Sequence, residues 1–407
     1  MSEAIASALS EQRRAAYGEA LDLLARKLAE DERRIGVEFP YVTAPDGSWR
    51  TLPASLSAGY NAGGAWSHGN WFCGFWVGLL LAAHLRTGEG RYLDWAIERM
   101  QLVAPRALDP NTHDIGFIFY GSAIPLHHIT GGERFAALAL RAADRLRARL
   151  ITTRRGAYIS SWGPLADERG RRSSAIDTMA NLPLLYWAAG HTDDGSFRAA
   201  GELHARMTHG AFVRPDLSTY HAVEYDLVTG KRTRGYTFQG YADESCWSRG
   251  QGWAIYGSAA TARATGKAEY LRLAEDLARH YLGRLDATLI PPWDFDDPAG
   301  PKALRDSSAA AIVASALLEI AALHPEETAA REWAEHGLRT LDALCRSCLA
   351  REEDHRGLLK HGCYSKPHND GVDSAVLFGD FYFVEALCKA LMPGRLVPAV
   401  ARLRDAD

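Results

Sequence analysis

Several signatures are missing from these 407 residues, and each absence closes off a class of function. No apolar run reaches the ~20 residues needed to span a bilayer. The longest, from Phe75 to Ala83, is about half that length, so no membrane is expected as a partner. There is no basic stripe and the formal net charge is −4, which argues against nucleic acid. The opening stretch MSEAIASALSEQRRAAYGEALDLLARKL is amphipathic and charged. It lacks the continuous apolar core and small-residue cleavage site of a secretory signal, and a cytoplasmic location is expected. No GxxxxGK[ST], no GxGxxG after a strand and no GxSxG elbow occurs. His127–His128 has no HExxH context and the other histidines are dispersed, so neither metal nor cofactor is expected. One CxxC exists, Cys345 and Cys348, inside a helical pattern with no second pair. The six cysteines are therefore read as reduced core thiols.

What the chain does have is aromatic surface and helical periodicity. Eleven Trp and sixteen Tyr suit a protein that stacks sugar rings, although they also suit a large core, which 47% hydrophobic content allows. Apolar residues recur at i, i+3, i+4 and i+7 over most of the length and predict about twelve helices. These fall at roughly 3–31, 70–87, 89–105, 114–128, 132–151, 175–189, 194–210, 247–265, 267–285, 306–322, 326–349 and 373–391. Strand signals are weak; the best, Ala157–Trp162 and Tyr220–Leu227, are expected to form a short hairpin. Short turns holding Gly or Pro join an all-apolar helix to an amphipathic one, as in RTGEGRYLDWA and ATGKAEYLRLA. Such alternation predicts buried inner helices and solvated outer ones in six pairs. The expected fold is an all-α, six-hairpin toroid formed as one domain over residues 1–407. An open solenoid is the alternative, but its repeats would be more uniform in length. Long connections precede the inner helices and would all emerge at one end, which marks the functional face.

Four inner helices begin near an aspartate: Asp114, Asp177, Asp306 and Asp373. Helix capping accounts for any one of them. Asp177, in AIDTM, has apolar neighbours and no cation nearer in sequence than Arg172, so burial is expected to favour its protonated form. Asp114 stands beside His113. Arg249 and Trp253 are four apart in WSRGQGWAIYG and share a helix face. Arg249 either holds a substrate anion or forms an internal ion pair with one of the four aspartates. His221 and Gln239 lie in the loop before it. Pro183, inside the helix that follows Asp177, is expected to bend its first turns.

Five blocks in order, HDIGF, AIDTMANLPLLYW, QGYADESCWSRGQGWAIYG, WDF…RDSSAAAI and GVDSAVLFGDFYFVEAL, resemble the unsaturated glucuronyl hydrolases of glycoside hydrolase family 88. The likeness runs from about Trp71 to Leu387. It implies an (α/α)6 barrel, in line with the helix count. It implies a substrate too: a small oligosaccharide with a 4,5-unsaturated uronic acid at its non-reducing end, released by hydration of the vinyl ether. By resemblance Asp177 is the general acid and base, and Asp114 the second essential carboxylate. His113, His221, Gln239 and Arg249 match polar contacts, and Trp71, Trp162 and Trp253 match aromatic walls. Relatives that accept sulfated fragments resemble one another in a Ser-x-x-Ser-x-Lys segment. Here the stretch is HGCYSK, residues 361–366, where only Lys366 keeps the pattern and His361 and Tyr364 replace the serines. Unsulfated disaccharides are the expected substrates, and the chain is expected to be a monomer or weak dimer. The rival readings are an unsaturated rhamnogalacturonyl hydrolase on pectin fragments and a non-catalytic oligosaccharide-binding toroid.

Overall fold

The computed structural model describes residues 3–57 and 69–398, together with the backbone of the two short strands Gly59–Tyr60 and Trp66–Ser67. Of the predicted 32–69 connection and the 1–407 span, the remaining positions lie outside the described residues. The helices are, in order, α1 (Glu3–Ala8), α2 (Glu11–Asp31), α3 (Cys73–Thr87), α4 (Gly90–Val103), α5 (Ile115–Tyr120), α6 (Ala123–Thr130), α7 (Glu133–Arg147), α8 (Glu168–Arg172), α9 (Thr178–Thr192), α10 (Gly195–Phe212), α11 (Ser248–Thr265), α12 (Ala268–Gly283), α13 (Ser307–Leu323), α14 (Glu327–Ser347) and α15 (Leu377–Leu391). The apolar helices α3, α5, α9, α11, α13 and α15 each touch the next, and α15 returns to α3. They form a closed inner ring. Helices α2, α4, α7, α10, α12 and α14 pack outside it. The burial pattern follows the sequence logic. In α13 every residue from Ser307 to Leu318 is buried, whereas α7 buries only Phe135, Ala136, Ala139, Ala142, Ala143 and Leu146, one stripe at helical spacing. The fold is an (α/α)6 barrel. Among the described residues no helix is long and apolar enough to cross a membrane.

Three predicted elements differ. The N-terminal helix breaks after Ala8, where Ser10 starts α2 by accepting from the Arg13 amide. The predicted 114–128 helix breaks at Gly121 and Ser122 into α5 and α6. The two strand segments do not pair with one another. Of the strands β1 (Phe39–Thr43), β2 (Trp49–Leu52), β3 (Gly59–Tyr60), β4 (Trp66–Ser67), β5 (Leu150–Thr153), β6 (Gly156–Ile159), β7 (Ser173–Ala175), β8 (Ala222–Tyr225), β9 (Arg232–Tyr236), β10 (Gly362–Ser365) and β11 (Asp370–Ser374), β6 pairs with β5, and β8 lies between β7 and β9. Each sheet is built from one or two of the long loops, so the strands organise the loop face and leave the barrel helical.

At the opposite end a cavity of about 490 Å³ is lined by Tyr120, Tyr256, Arg263, Glu319, Glu385 and Lys389, among others. Arg263 pairs with Glu319, and Lys389 lies 3.4 Å from Glu319 and 3.8 Å from Glu385. Glu385 also accepts from Tyr256 Oη at 3.0 Å and from Ser315. Two cations and two carboxylates neutralise one another there, as a buried network requires.

Candidate active site

Asp306, Asp177 and Asp114 all stand at helix N-caps, but only Asp306 uses its side chain as a cap, accepting from the Ser308 amide at 3.0 Å. The carboxylates of Asp114 and Asp177 make no capping bond. Asp373, predicted to begin the last inner helix, instead sits in β11 with φ +50° and pairs with His361 at 2.7 Å. Helix α15 starts four residues later because β11 pairs with β10 first.

These two carboxylates meet at His113. Its Nε2 lies 3.1 Å from Asp177 Oδ1 and 3.3 Å from Asp114 Oδ1, while its Nδ1–H donates to Ser161 O at 2.6 Å. Ser161 O also accepts from the His113 amide, and Ser161 Oγ accepts from the Ala175 amide and bonds Thr178 Oγ1. One serine thus ties the His113 loop to both sides of Asp177. Asn181 makes the second tie. Its Nδ2 donates to Asp177 O at 3.0 Å and its Oδ1 accepts from the Phe117 amide at 2.6 Å, joining α9 to α5. This close approach needs Gly116, where a Cβ would stand 2.5 Å from the Asn181 side chain. Asp114 Oδ2 accepts from Thr112 Oγ1 at 3.0 Å.

The electrostatics differ from the expectation of an isolated acid. Burial disfavours charge on His113, but Asp114, Asp177 and the bonds to Asp177 and Ser161 O outweigh it and push its pKa up to about 9. His113 is therefore an imidazolium near neutral pH. The cation beside Asp177 is this ring and not Arg172, and the Asp177 side chain is 18% exposed, not sealed in an apolar pocket. Its apolar flank packs elsewhere: Met179 lies against Gly257 of α11, and Ile176 faces Gly250. Helix α9 runs through Pro183 unbroken. The carbonyl that Pro183 cannot bond, that of Met179, lies where Gly257 has no Cβ.

His113, Asp114 and Asp177 each offer a donor atom within 4.8 Å of the others, the one such group among the described residues. A cation there would have to displace the Nε2 proton that both carboxylates face. The charge on His113 makes a prediction. Its stabilising contribution is complete below the usual histidine value of 6.5 and is lost as pH rises through about 9. In His113→Asn two carboxylates face one another without the cation and hold a proton more tightly. The alkaline limb of the kcat/KM profile is expected to move to higher pH, with kcat falling more than KM changes. A variant profile that superimposes on wild type would remove His113 from the proton chemistry.

The other predicted residues divide. His221 is buried beside Asp177, through the Ile176 amide bonding His221 O at 2.9 Å. Its ring lies between Phe238 (4.1 Å) and Trp247 (4.3 Å), and its Nδ1 meets Thr237 Oγ1 at 2.9 Å. Its Nε2 is buried without a hydrogen-bond partner, the condition expected of a group that meets ligand or water. Burial and then Arg249 push its pKa well below the ordinary value, so this imidazole is neutral. Trp162 is half-buried, 6.1 Å from the His113 ring and edge-on to Phe238. Trp71 is half-buried, stacked on Phe378 at 5.2 Å, and borders a cleft of about 240 Å³ with Tyr41, Phe72 and Tyr364.

Arg249 is committed internally. It is 1% exposed, pairs with Asp306 at 2.8 Å and donates to Cys363 O at 2.5 Å and Tyr364 O at 2.6 Å. Gln239 also donates to Tyr364 O, at 3.1 Å. Both residues hold the β10 strand in place. Trp253 is 1% exposed among Phe117, Phe378 and Tyr382, one layer into the core. Trp247, not singled out from the sequence, is the tryptophan of that block that touches both His221 and Arg249, with the guanidinium 4.5 Å from its ring. Lys366 pairs with Asp297 at 2.9 Å and lies over Trp293. Sequence reasoning also passed over Ser161 and Asn181, because their roles come from contacts with chain segments remote in sequence.

No family model matches the chain. It is 35% identical over 380 residues to the unsaturated glucuronyl hydrolase of Bacillus sp. (strain GL1), covering 92% of this chain and 95% of the relative. It is 31% identical over 327 residues to the unsaturated chondroitin disaccharide hydrolase of Streptococcus pneumoniae, covering 78% and 81%. The crystal structure of the Bacillus sp. GL1 enzyme, described as responsible for the degradation of glycosaminoglycan, superposes with a TM-score of 0.82 at 32% identity over 97% of this chain and 100% of that one. The Streptococcus agalactiae enzyme complexed with dGlcA-GalNAc6S superposes at 0.75 and 26% identity over 92% and 91%.

Proposed function

The chain belongs to the unsaturated glucuronyl hydrolases, and we propose that Asp177 carries their reaction here: release of a 4,5-unsaturated uronic acid from the non-reducing end of glycosaminoglycan-type disaccharides. The observation behind this assignment is the pair of N-cap aspartates left free of capping and joined through His113. Asp177 donates a proton to C4 of the vinyl ether. Positive charge develops at C5 and is shared by the ring oxygen. Asp177, now ionised, takes a proton from the water that adds to C5, and the hemiketal opens to free the glycosidic partner. One carboxylate thus serves in both directions. The imidazolium of His113 supports the ionised form at the moment the proton leaves. Asp114 orients the sugar hydroxyls, and His221 Nε2 offers the unpaired polar atom to the bound sugar or the incoming water. Trp71 and Trp162 form the aromatic walls.

Substrate class follows from how the HGCYSK stretch is used. Lys366 is neutralised by Asp297, His361 turns to Asp373, and the Tyr364 ring packs beside Tyr41 and Phe72. None is left as a free partner for a sulfate. Addition of unsaturated chondroitin disaccharide is expected to give a decay of the vinyl-ether absorbance. The unsulfated form should exceed the 6-sulfated form in kcat/KM by about tenfold, the value of one charge-assisted contact. Absence of decay with every unsaturated uronide refutes the function. A preference for the sulfated disaccharide refutes only the substrate class.

A further inference from the structure

A concave site lies on the loop face away from the acid pair. The turns of two hairpins meet there: the β5–β6 turn at Arg154 and Arg155, and the β8–β9 turn at Asp226–Lys231. The Arg154 amide donates to Val228 O at 3.0 Å and locks the tips together. Both turns depend on glycine. Gly156 has φ +143° with Met207 close by, and Gly230 has φ +72° against Thr153, where a side chain has no room. Between these tips and α10 lies a groove of about 520 Å³, within the range of ligand sites.

Its lining is one-sided. Arg155, Arg206, Lys231 and Arg232 enter from three separate elements, and Met207, Gly210, Ala211 and Gly230 complete it. No carboxylate lines it, in a chain whose acids outnumber its Lys and Arg by 50 to 46. Two acids bonded to the same elements are already engaged. Asp226 accepts from the Val228 and Thr229 amides and the Thr229 hydroxyl, and Glu202 takes both Arg206, at 3.4 Å, and Lys267. Arg232 is held by Ala211 O and by the Tyr220 ring, which fixes its guanidinium at the groove. Arg155 and Lys231 are exposed, and neither side chain has a hydrogen-bond or ion-pair partner among the described residues. With Arg206 paired to Glu202, the charges of Arg155, Lys231 and Arg232 still converge there with no carboxylate between them, an arrangement that an anion would relieve.

We infer that this groove binds acidic oligosaccharides, engaging their carboxylate or sulfate groups at a site separate from the acid pair. The groove lies at the end of β8 remote from His221, about 13 Å along a four-residue strand. It serves chains longer than the disaccharide being hydrolysed. The anion class rests on the family reading; the existence of the site does not.

The test uses a chondroitin sulfate hexasaccharide saturated at its non-reducing end, so that it offers no vinyl ether, labelled at its reducing end and followed by fluorescence anisotropy at low salt. Wild type and Asp177→Asn are expected to bind equally, with affinity falling as salt is raised. Arg155→Ala/Lys231→Ala should bind about tenfold more weakly and Arg155→Glu/Lys231→Glu not at all. Turnover of the unsaturated disaccharide should be unchanged in Arg155→Ala/Lys231→Ala. Equal binding by the alanine variant, loss of binding in Asp177→Asn, or binding of inorganic polyphosphate in place of the hexasaccharide would each overturn the inference. If wild type does not consume the disaccharide, the proposed function fails while the binding result is still scored independently.

Discussion

Asp177→Asn is expected to lower kcat by about a thousandfold, within the range for loss of a single general acid–base, while leaving the fold intact. Both halves of that expectation come from the same observation. The Asp177 carboxylate makes no helix cap, so the amide replaces it without losing a structural bond. It is the carboxyl group 18% open to solvent beside His113, so the amide removes the proton carrier. An Asn side chain keeps the volume and can still accept from His113 Nε2. Vinyl-ether absorbance at saturating disaccharide measures the rate, and a thermal melt measures the fold. Turnover within about tenfold of wild type would transfer the acid role elsewhere. Asp306→Asn is the matching control. It removes a capping carboxylate and the partner of Arg249, so it should lose stability first and activity only as a consequence.

The second large effect is on stability. Arg249→Met is expected to destabilise the protein by about 3–5 kcal/mol, the usual result of leaving one member of a buried ion pair unpaired. Here the orphan is Asp306, which is fully buried. The arginine also donates to two carbonyls of β10 and stacks over Trp247. The melting point should fall by roughly 10 °C, given a few degrees per kcal/mol in chains above 150 residues. Arg249→Met/Asp306→Leu should lose much less than the sum of the single changes, because the double variant leaves no uncompensated charge. A melt of Arg249→Met superimposed on wild type would show that the pair is not holding β10. The same variant should raise KM, since β10 carries Tyr364 and leads to Lys366, which border the cleft and the Asp297 pair.

Much of the barrel is written in linear order. Apolar periodicity separates α13, buried all round, from α7, buried on one stripe, and the short turns join such helices into six pairs. Those are local properties, set by spacing and by the hydrophobic effect on single helices. For the same reason the blocks around Asp177 and Asp114 can be placed at the long-loop end from the sequence alone. The division of labour among the aspartates is not local. All four sit where an N-cap belongs, and composition cannot say that Asp306 caps, that Asp373 leaves for a strand, and that Asp114 and Asp177 turn to a histidine. His113 acquires its charge only because two carboxylates from different helices arrive within 3.3 Å of one nitrogen. Arg249 resolves into an internal pair because α13 brings Asp306 to it across 57 residues of chain. Helix propensity and burial pattern depend on neighbours in sequence, and the sequence by itself determined the barrel and the end at which its long loops gather. The partner of a charge depends on which segments the closed ring brings together, and that only the tertiary structure decided.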